Sequence, residues 1–137
     1  MYRYALTIEY DGSPFHGWQV QNNITTVQGV VFDAIKKLDM NCENFVGAGR
    51  TDAGVHAIGQ VAHVDLATKR DCETVQKAIN YYLNKYPVSI LNARFVNSQF
   101  HARFSAIKRH YIYKIFSRKT DLTFEKNQYW HVRHSLN

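Results

Sequence analysis

Cysteine and proline are both scarce in this sequence of 137 residues, which contains two of each. Cys42 and Cys72 form no CxxC pair, so the sequence has neither a disulfide framework nor a zinc-ribbon pattern, and both thiols are expected to be unpaired. No apolar run approaches the roughly 18 residues of a membrane span. Residues 1–12 alternate polar and apolar side chains, unlike the apolar core of a signal peptide. We therefore expect a cytoplasmic protein with no membrane partner.

The motifs of the common cofactor-binding proteins are also missing. The sequence contains no Walker A loop and no GxGxxG segment. Among its seven histidines, only His131 and His134 approach a metal-ligand spacing, and their basic surroundings make them a poor ligand set. We expect neither a cofactor nor a bound metal.

Acidic residues are scarce in the last third of the chain. Residues 94–137 contain 9 Lys or Arg and 2 Asp or Glu, a net charge of +7, whereas residues 1–93 contain 8 and 9, a net charge of −1. The same third carries nine aromatic residues. Cations for phosphates and rings for bases suit RNA binding, but a strand with a packed aromatic face and a solvated basic face explains the composition equally well.

The periodicity of apolar residues predicts five strands and two helices. Alternation with a period of two, or short apolar runs, predicts strands over residues 4–10, 44–48, 58–66, 88–96 and 109–116. Helical stripes follow a Thr25–Gln28 capping box and an expected Asp71 cap, and occupy residues 27–38 and 75–83. The order β-α-β-β-α-β, with one further strand, predicts an α+β, ferredoxin-like (split β-α-β) domain with an antiparallel sheet and two helices on one face.

A glycine-rich stretch between two predicted strands is the densest signal. Residues 47–57 read GAGRTDAGVHA, with three glycines in eight residues. Such a loop is tight and pre-organised, and Arg50 could hold the Asp52 carboxylate ionised if both side chains face one cleft. An ionised carboxylate on a rigid loop suits a nucleophile. The alternative is a decorated hairpin in which Asp52 bonds its own turn and Arg50 is a surface charge.

The string GRTDAGVHA at residues 49–57 resembles the signature of the TruA family of pseudouridine synthases. Three further segments resemble that family in the same order. They are YDG, FHGWQ and TVQG within residues 10–29, GQV at residues 59–61, and FHARFSA with RHYIY within residues 100–113. The resemblance extends to about residue 116 and more weakly beyond. Ile107-Lys108 before Arg109 and His110 in place of a usual second Arg depart from the family pattern.

The resemblance implies an enzyme that isomerises uridine to pseudouridine in the anticodon stem-loop of tRNA, at tRNA positions 38 to 40, without a cofactor. By resemblance Asp52 is the nucleophile, Arg50 pairs with it and helps to displace the target base, and Tyr111 stacks on the flipped uracil. Tyr111 could instead be a core residue of its strand, as we assume for Tyr113. Ala53 and His56 fit the bacterial form of the signature.

Contacts with RNA are expected from several further residues. Arg103 and Arg109 are candidate phosphate ligands, with solvated strand charges as the alternative. Trp18, Gln19 and His56 are candidate RNA contacts as well, although Trp18 could equally fill the core. A non-catalytic RNA-binding module or a basic structural protein would explain the charge, but each would leave Asp52 without a task, and the RRM signature is missing.

Length is the main departure from the family, whose members are roughly twice as long and are homodimers. The expected organisation is therefore a catalytic-loop domain over residues 1–116. Residues 117–137 would begin the connection to a second domain that this chain lacks. We expect the chain to be an N-terminal fragment that folds but is inactive alone.

Overall fold

A computed structural model of the protein describes residues 1–136. The chain forms two compact units, Met1–Ala106 and Ile107–Asn137. The first unit contains four strands and two helices: β1 (Tyr2–Tyr10), α1 (Val27–Leu38), β2 (Glu43–Gly47), β3 (Ala57–Leu66), α2 (Cys72–Tyr82) and β4 (Val88–Phe95). These are the elements that the periodicity predicts, in the predicted order.

The four strands form one antiparallel sheet in the order β2-β3-β1-β4. Tyr4 lies opposite Val64 on β3 and opposite Phe95 on β4, so β1 is central. This strand order with two helical crossovers is the ferredoxin-like arrangement, and the predicted fold class is confirmed.

The helices begin close to the predicted caps, with two differences. The hydroxyl of Thr26, not that of Thr25, accepts from the Gly29 backbone N–H and caps α1. Thr26 has the extended backbone that an N-cap requires, and this places the cap one residue later than the capping-box spacing predicts. Asp71 precedes α2 as expected, but its side chain makes no capping hydrogen bond.

The core lies between the helices and one face of the sheet. Alternate residues of β1 and β3 point into it and are buried, as are the inner faces of α1 and α2: Tyr4, Leu6, Ile8, Ala62, Val64, Leu66, Val27, Val31, Ile35, Val75 and Ile79. Cys42 also lies in this core, and both cysteines are unpaired, as expected. Because side chains alternate along a strand, the residues between these positions point to the opposite face of the sheet.

That opposite face carries polar residues and is partly covered by the segment 97–106, which we call the docked segment. The guanidinium of Arg3 donates to both carboxylate oxygens of Asp65, at 2.8 and 2.9 Å, and to the carbonyls of Ser98 and Phe100. The backbone N–H of Ala102 donates to Nδ1 of buried His63 at 3.0 Å. Residues of the neighbouring strands β1 and β3 thus hold the docked segment against the sheet.

The second unit contains two short parallel strands, β5 (Ile115–Ser117) and β6 (Trp130–Val132). The strand expected over residues 109–116 is therefore wrong for most of its length, since residues 109–114 form no strand. The alternation of Tyr111 and Tyr113 suggests a strand, but strands need a pairing partner, and β6 pairs only from Ile115 onward. Over residues 1–136, the helices are too short and too polar to cross a membrane.

Candidate active site

The signature loop, residues 48–56, connects β2 to β3 and is closed by backbone hydrogen bonds. The Ala48 N–H donates to the Val61 carbonyl at 2.8 Å, which extends the strand pairing by one step. The Val55 N–H donates to the Asp52 carbonyl at 3.1 Å, and Gly54 has a φ of +79°. A positive φ at the third position of a four-residue turn favours glycine. The turn is thus made by the main chain of Asp52, which leaves its carboxylate outside the turn.

A second loop, residues 11–26, packs against the signature loop; we call it the opening loop. The Trp18 N–H donates to the Thr51 carbonyl at 3.0 Å, and the Gly54 N–H donates to the Phe15 carbonyl at 3.3 Å. The backbones approach so closely that a Cβ on Gly12 would lie 2.0 Å from the Val55 oxygen. A Cβ on Gly17, whose φ is +82°, would lie 2.6 Å from the Thr51 oxygen. Glycine permits both the approach and the conformation.

Side chains fasten the same two loops from either end of the signature. The hydroxyls of Tyr10 and Thr51 are 2.9 Å apart. Nδ1 of His56 accepts from the Gly12 N–H at 2.8 Å and lies 3.2 Å from the Asp11 carboxylate. Hydrogen bonds from Ser13 hold the pKa of Asp11 below its ordinary value, and the His56 ring contributes to this shift. These contacts hold the residues on both sides of Asp52 in place.

The Asp52 and Arg50 side chains are exposed on this loop. Within residues 1–136 the Asp52 carboxylate takes part in no hydrogen bond or ion pair, and Arg50 does not contact it. The expected Arg50–Asp52 pair is therefore not formed in the protein alone. The structure differs from the decorated hairpin as well, since Asp52 does not bond its own turn through the side chain. An exposed carboxylate on a held backbone is available to a ligand.

Trp18 lies in the core and does not face solvent, with 1% of its surface exposed. Its ring packs against Tyr10 and Phe45, and a Cβ on Gly47 would lie 2.7 Å from it. Of the two interpretations of Trp18, the structure therefore supports the core residue over the RNA contact, because a large apolar ring is stabilised by burial. Gln19 next to it is half-buried.

Arg103 lies in the docked segment of the first unit and is exposed, with its guanidinium carbon 5.7 Å from the centre of the Phe104 ring. Arg109 and Tyr111 belong to the second unit and are exposed. Tyr111 is therefore not a core residue of a strand. Tyr113 is also exposed, at 85%, so the assumption that it packs in the core is wrong. The structure brings the opening loop and the signature loop together, and places Arg103 on the same unit.

Several positioning residues are not evident from the sequence pattern. Thr51 and Tyr10 are one example, and Gln60, whose amide donates to the Gly49 carbonyl at 2.7 Å, is another. His63 and Arg3 hold the docked segment although both lie far from it in the chain. The only sequence signal for them is a polar residue at a strand position that alternates with the core residues, which is too common to single them out.

Burial and charge perturb the groups that hold the docked segment. Burial, helped by the nearby Arg3 and His101, lowers the pKa of His63 to about 4. The Arg3 hydrogen bonds lower the pKa of Asp65 and the same contact raises that of Arg3. His63 is therefore neutral at neutral pH, as an accepting Nδ1 requires. In the described part of the chain, no three His, Cys, Asp or Glu side chains are grouped so that they could hold a metal ion.

Comparison with known proteins identifies the family of the chain. Residues 6–105 match the family model described as tRNA pseudouridine synthase, a range that contains both loops and Arg103. Proteins named tRNA pseudouridine synthase A from Parvibaculum lavamentivorans and Maricaulis maris are 51% and 49% identical to the chain over 136 residues, covering 99% of it. The protein of that name from Ehrlichia canis is 49% identical over 135 residues.

The chain spans about half the length of these curated relatives, since the matched residues make up 55% of each of the three. The family match covers most of the chain, and the relatives match it almost from end to end. The chain therefore belongs to the tRNA pseudouridine synthase family.

Proposed function

We propose that this protein isomerises uridine to pseudouridine in the anticodon stem-loop of tRNA, at tRNA positions 38 to 40, with Asp52 as the nucleophile. One observation carries the proposal: an exposed carboxylate without a protein partner stands on a loop whose backbone is held on both sides. A structural aspartate would be bonded to its own turn or to a cation. A nucleophile has to be aimed and unoccupied.

The reaction exchanges one bond to the sugar for another. The bond between C1′ and N1 of the uridine breaks, the base turns, a bond forms between C1′ and C5, and the proton on C5 leaves as N1 gains one. No electrons are exchanged with an outside partner, so the reaction needs no redox cofactor. Asp52 attacks either the base or the sugar and is released unchanged at the end.

Further candidate site residues would prepare the nucleotide for this attack. A base within a helix is out of reach, so the target has to be displaced from its stack. Arg50, two residues before Asp52, is suited to fill the displaced position and to pair with Asp52 once RNA excludes water. Tyr111 would stack on the uracil, and Arg103 and Arg109 would bind phosphates. Gln19 in the opening loop and His56 at the end of the signature loop remain candidate RNA contacts.

We propose that the chain forms one side of the active site and that a second domain forms the other side. The chain spans 55% of its relatives, and holding a flipped base out of water takes groups on both sides of it. We propose that residues 1–116 are the catalytic-loop domain and residues 117–137 the start of a connection to a second domain. The complete enzyme would act in the cytoplasm as a homodimer.

The test is Asp52→Asn in an enzyme of full family length, made by joining this chain to the part of the Parvibaculum lavamentivorans relative that it does not cover. Pseudouridine in bulk tRNA is measured as the hydrogen released from C5 of uridine. We expect no turnover, because the amide keeps the shape but is not a nucleophile. The free energy of unfolding should change by less than about 1 kcal/mol, because the side chain is exposed.

Asp33→Asn is the matched control, since Asp33 is an exposed carboxylate on α1 whose ion pair within residues 1–136 is with Lys36 alone. It removes the same charge and should leave turnover unchanged. Turnover of Asp52→Asn near that of the control would remove Asp52 from the reaction. A wild-type enzyme that binds tRNA but forms no pseudouridine would instead indicate a non-catalytic RNA-binding protein.

A further inference from the structure

Three rings are stacked outward from the sheet on the face opposite the helices. His63 on β3 is the innermost and is 1% exposed. The His101 ring lies edge-on to it, with centroids 4.7 Å apart, and the Phe104 ring stacks on His101 at 4.3 Å and 26°. Phe104 is the outermost and is 77% exposed. A large apolar ring held on a rigid support but left in solvent is unusual for a residue whose role is only packing.

The turn that carries Phe104 is locked by its own hydrogen bonds. The His101 N–H donates to the Ser105 hydroxyl at 3.0 Å, and the Ser105 N–H donates to the His101 carbonyl at 2.7 Å. Nδ1 of His101 accepts from the backbone N–H groups of Arg103 and Phe104, at 3.2 and 3.3 Å. The Ala102 N–H is anchored on His63. Phe104 is therefore presented by a fixed backbone, which lowers the entropy lost when its ring binds a partner.

The chemistry around the exposed ring suits a nucleotide. Arg103 places a guanidinium 5.7 Å from the Phe104 centroid, and residues 94–106 of the same unit contain two arginines and no acidic residue. A nucleotide has both a planar base for the ring and an anionic phosphate for the cation, and exposed aromatic rings beside cations bind single-stranded RNA in this way. An acidic peptide would satisfy the charge alone and would leave the ring uncovered.

We propose that Phe104, supported by His101 and His63 and flanked by Arg103, is a stacking site for an unpaired nucleobase of RNA. The site rests on the proposed function for the identity of its ligand. It is separate from Asp52, because the adjacent Thr51 is held by Tyr10 at one end of β1, whereas His63 lies opposite Ala5, five residues away, which is roughly 17 Å along a strand. The stacked base is therefore a different nucleotide from the uridine that reacts, and it fixes the register of the RNA on the protein.

The test measures binding and stacking, and it needs no catalysis. The probes are anticodon stem-loop RNAs in which 2-aminopurine replaces one loop base at a time, since its fluorescence falls when it stacks on an aromatic ring. The wild-type chain should quench the probe at one loop position. Phe104→Leu should abolish that quenching and weaken binding by roughly 5- to 100-fold, at every salt concentration and with an unchanged salt slope. Phe104→Tyr should restore both.

Phe95→Leu is the matched control, because Phe95 is a half-exposed ring elsewhere on the same unit, near Tyr2 and Tyr4. It should leave RNA affinity within about twofold of wild type. Binding and quenching are measured without turnover, so a failure of the proposed catalysis is distinguishable from a failure of this site. The proposal is overturned if wild type quenches no loop position or if Phe104→Leu binds like wild type. It is also overturned if Phe104→Leu alters only self-association, which would make the ring a contact between protein copies.

Discussion

Lowering the pH should destabilise the first unit through one residue, His63. Its ring is 1% exposed, and its pKa is lowered from 6.5 to about 4 by burial and by the neighbouring Arg3 and His101, against a smaller opposing effect of Asp65. At about 1.36 kcal/mol per pKa unit, the difference between the folded and unfolded values corresponds to about 3 kcal/mol. This is a large part of the 5–15 kcal/mol that stabilises a typical domain.

The pH window of this effect follows from the direction of the shift. Between pH 6.5 and about 4, the unfolded chain binds a proton that the folded chain excludes, so the free energy of unfolding falls as the pH falls. The contribution of the neutral His63 ring to the free energy of unfolding is fully present above pH 6.5 and is lost progressively as the pH falls toward 4. Protonation of Nδ1 would also break the hydrogen bond from Ala102, so the docked segment should detach as the pH falls below about 4.

The assay compares the pH dependence of urea unfolding in the wild type and in His63→Asn. The Asn side-chain oxygen lies near the position of Nδ1, so it can accept from Ala102 without titrating. A Trp130→Phe background leaves Trp18 as the one tryptophan, and its buried ring reports on the first unit alone. His63→Asn loses ring packing at every pH, so only the slopes are compared.

The wild type should lose about 3 kcal/mol more than His63→Asn across this window. The carboxylates with lowered pKa values, such as Asp65 and Asp39, lose their contribution as the pH falls through the range below their ordinary 3.8, and this loss is common to both proteins. If the free energies of unfolding of the two proteins changed in parallel with pH above pH 4, the reasoning would be refuted. Such a result would mean that folding does not exclude the proton from His63.

Further predictions concern the loops, the RNA and the isolated chain. Gly12→Ala should lower the free energy of unfolding by about 1–3 kcal/mol and reduce turnover, because its Cβ would lie 2.0 Å from the Val55 oxygen. The control is Gly59→Ala, whose Cβ meets no atom within 4 Å. Equal effects of the two substitutions would contradict the close approach at Gly12. Replacing Arg103 and Arg109 with Gln should weaken tRNA binding and flatten its dependence on salt; an unchanged slope in a filter-binding titration would mean that these arginines do not contact phosphates. The chain alone should give the circular dichroism of an α+β fold yet form no measurable pseudouridine, because misplacement of a reacting group alone costs about 100-fold. Robust turnover would show that one domain suffices for catalysis.

Much of the fold could be predicted from local pattern alone. The alternation in β1 and the stripes of α1 and α2 arise because each element buries one face, and that requirement is written into residues close together in the chain. The predicted strand over residues 109–116 was wrong for most of its length, because local pattern does not show which segment a strand pairs with. Alternation shows that a segment could pair, but the partner of β5 lies at Trp130–Val132, and its extent decides where the strand begins.

The candidate site was predictable where it rests on a continuous motif. Residues 49–57 identify the loop and its carboxylate without any structure. Trp18 and Tyr113 show the limit of such reasoning, since an aromatic residue in a loop or strand can face either way. Trp18 turned inward because Gly47 leaves room for its ring beside Tyr10 and Phe45, whereas Tyr113 is exposed.

The sequence by itself determined the order of the elements, the family, and the position of Asp52 between two glycines, because each of these depends on neighbouring residues. Tertiary structure alone decided what surrounds them. The Arg3 guanidinium reaches residues more than 60 and 90 positions away in the chain, and His63 meets the docked segment 39 residues later. Contacts of that separation depend on strand register and loop packing, which act through the whole fold and leave no local pattern in the chain.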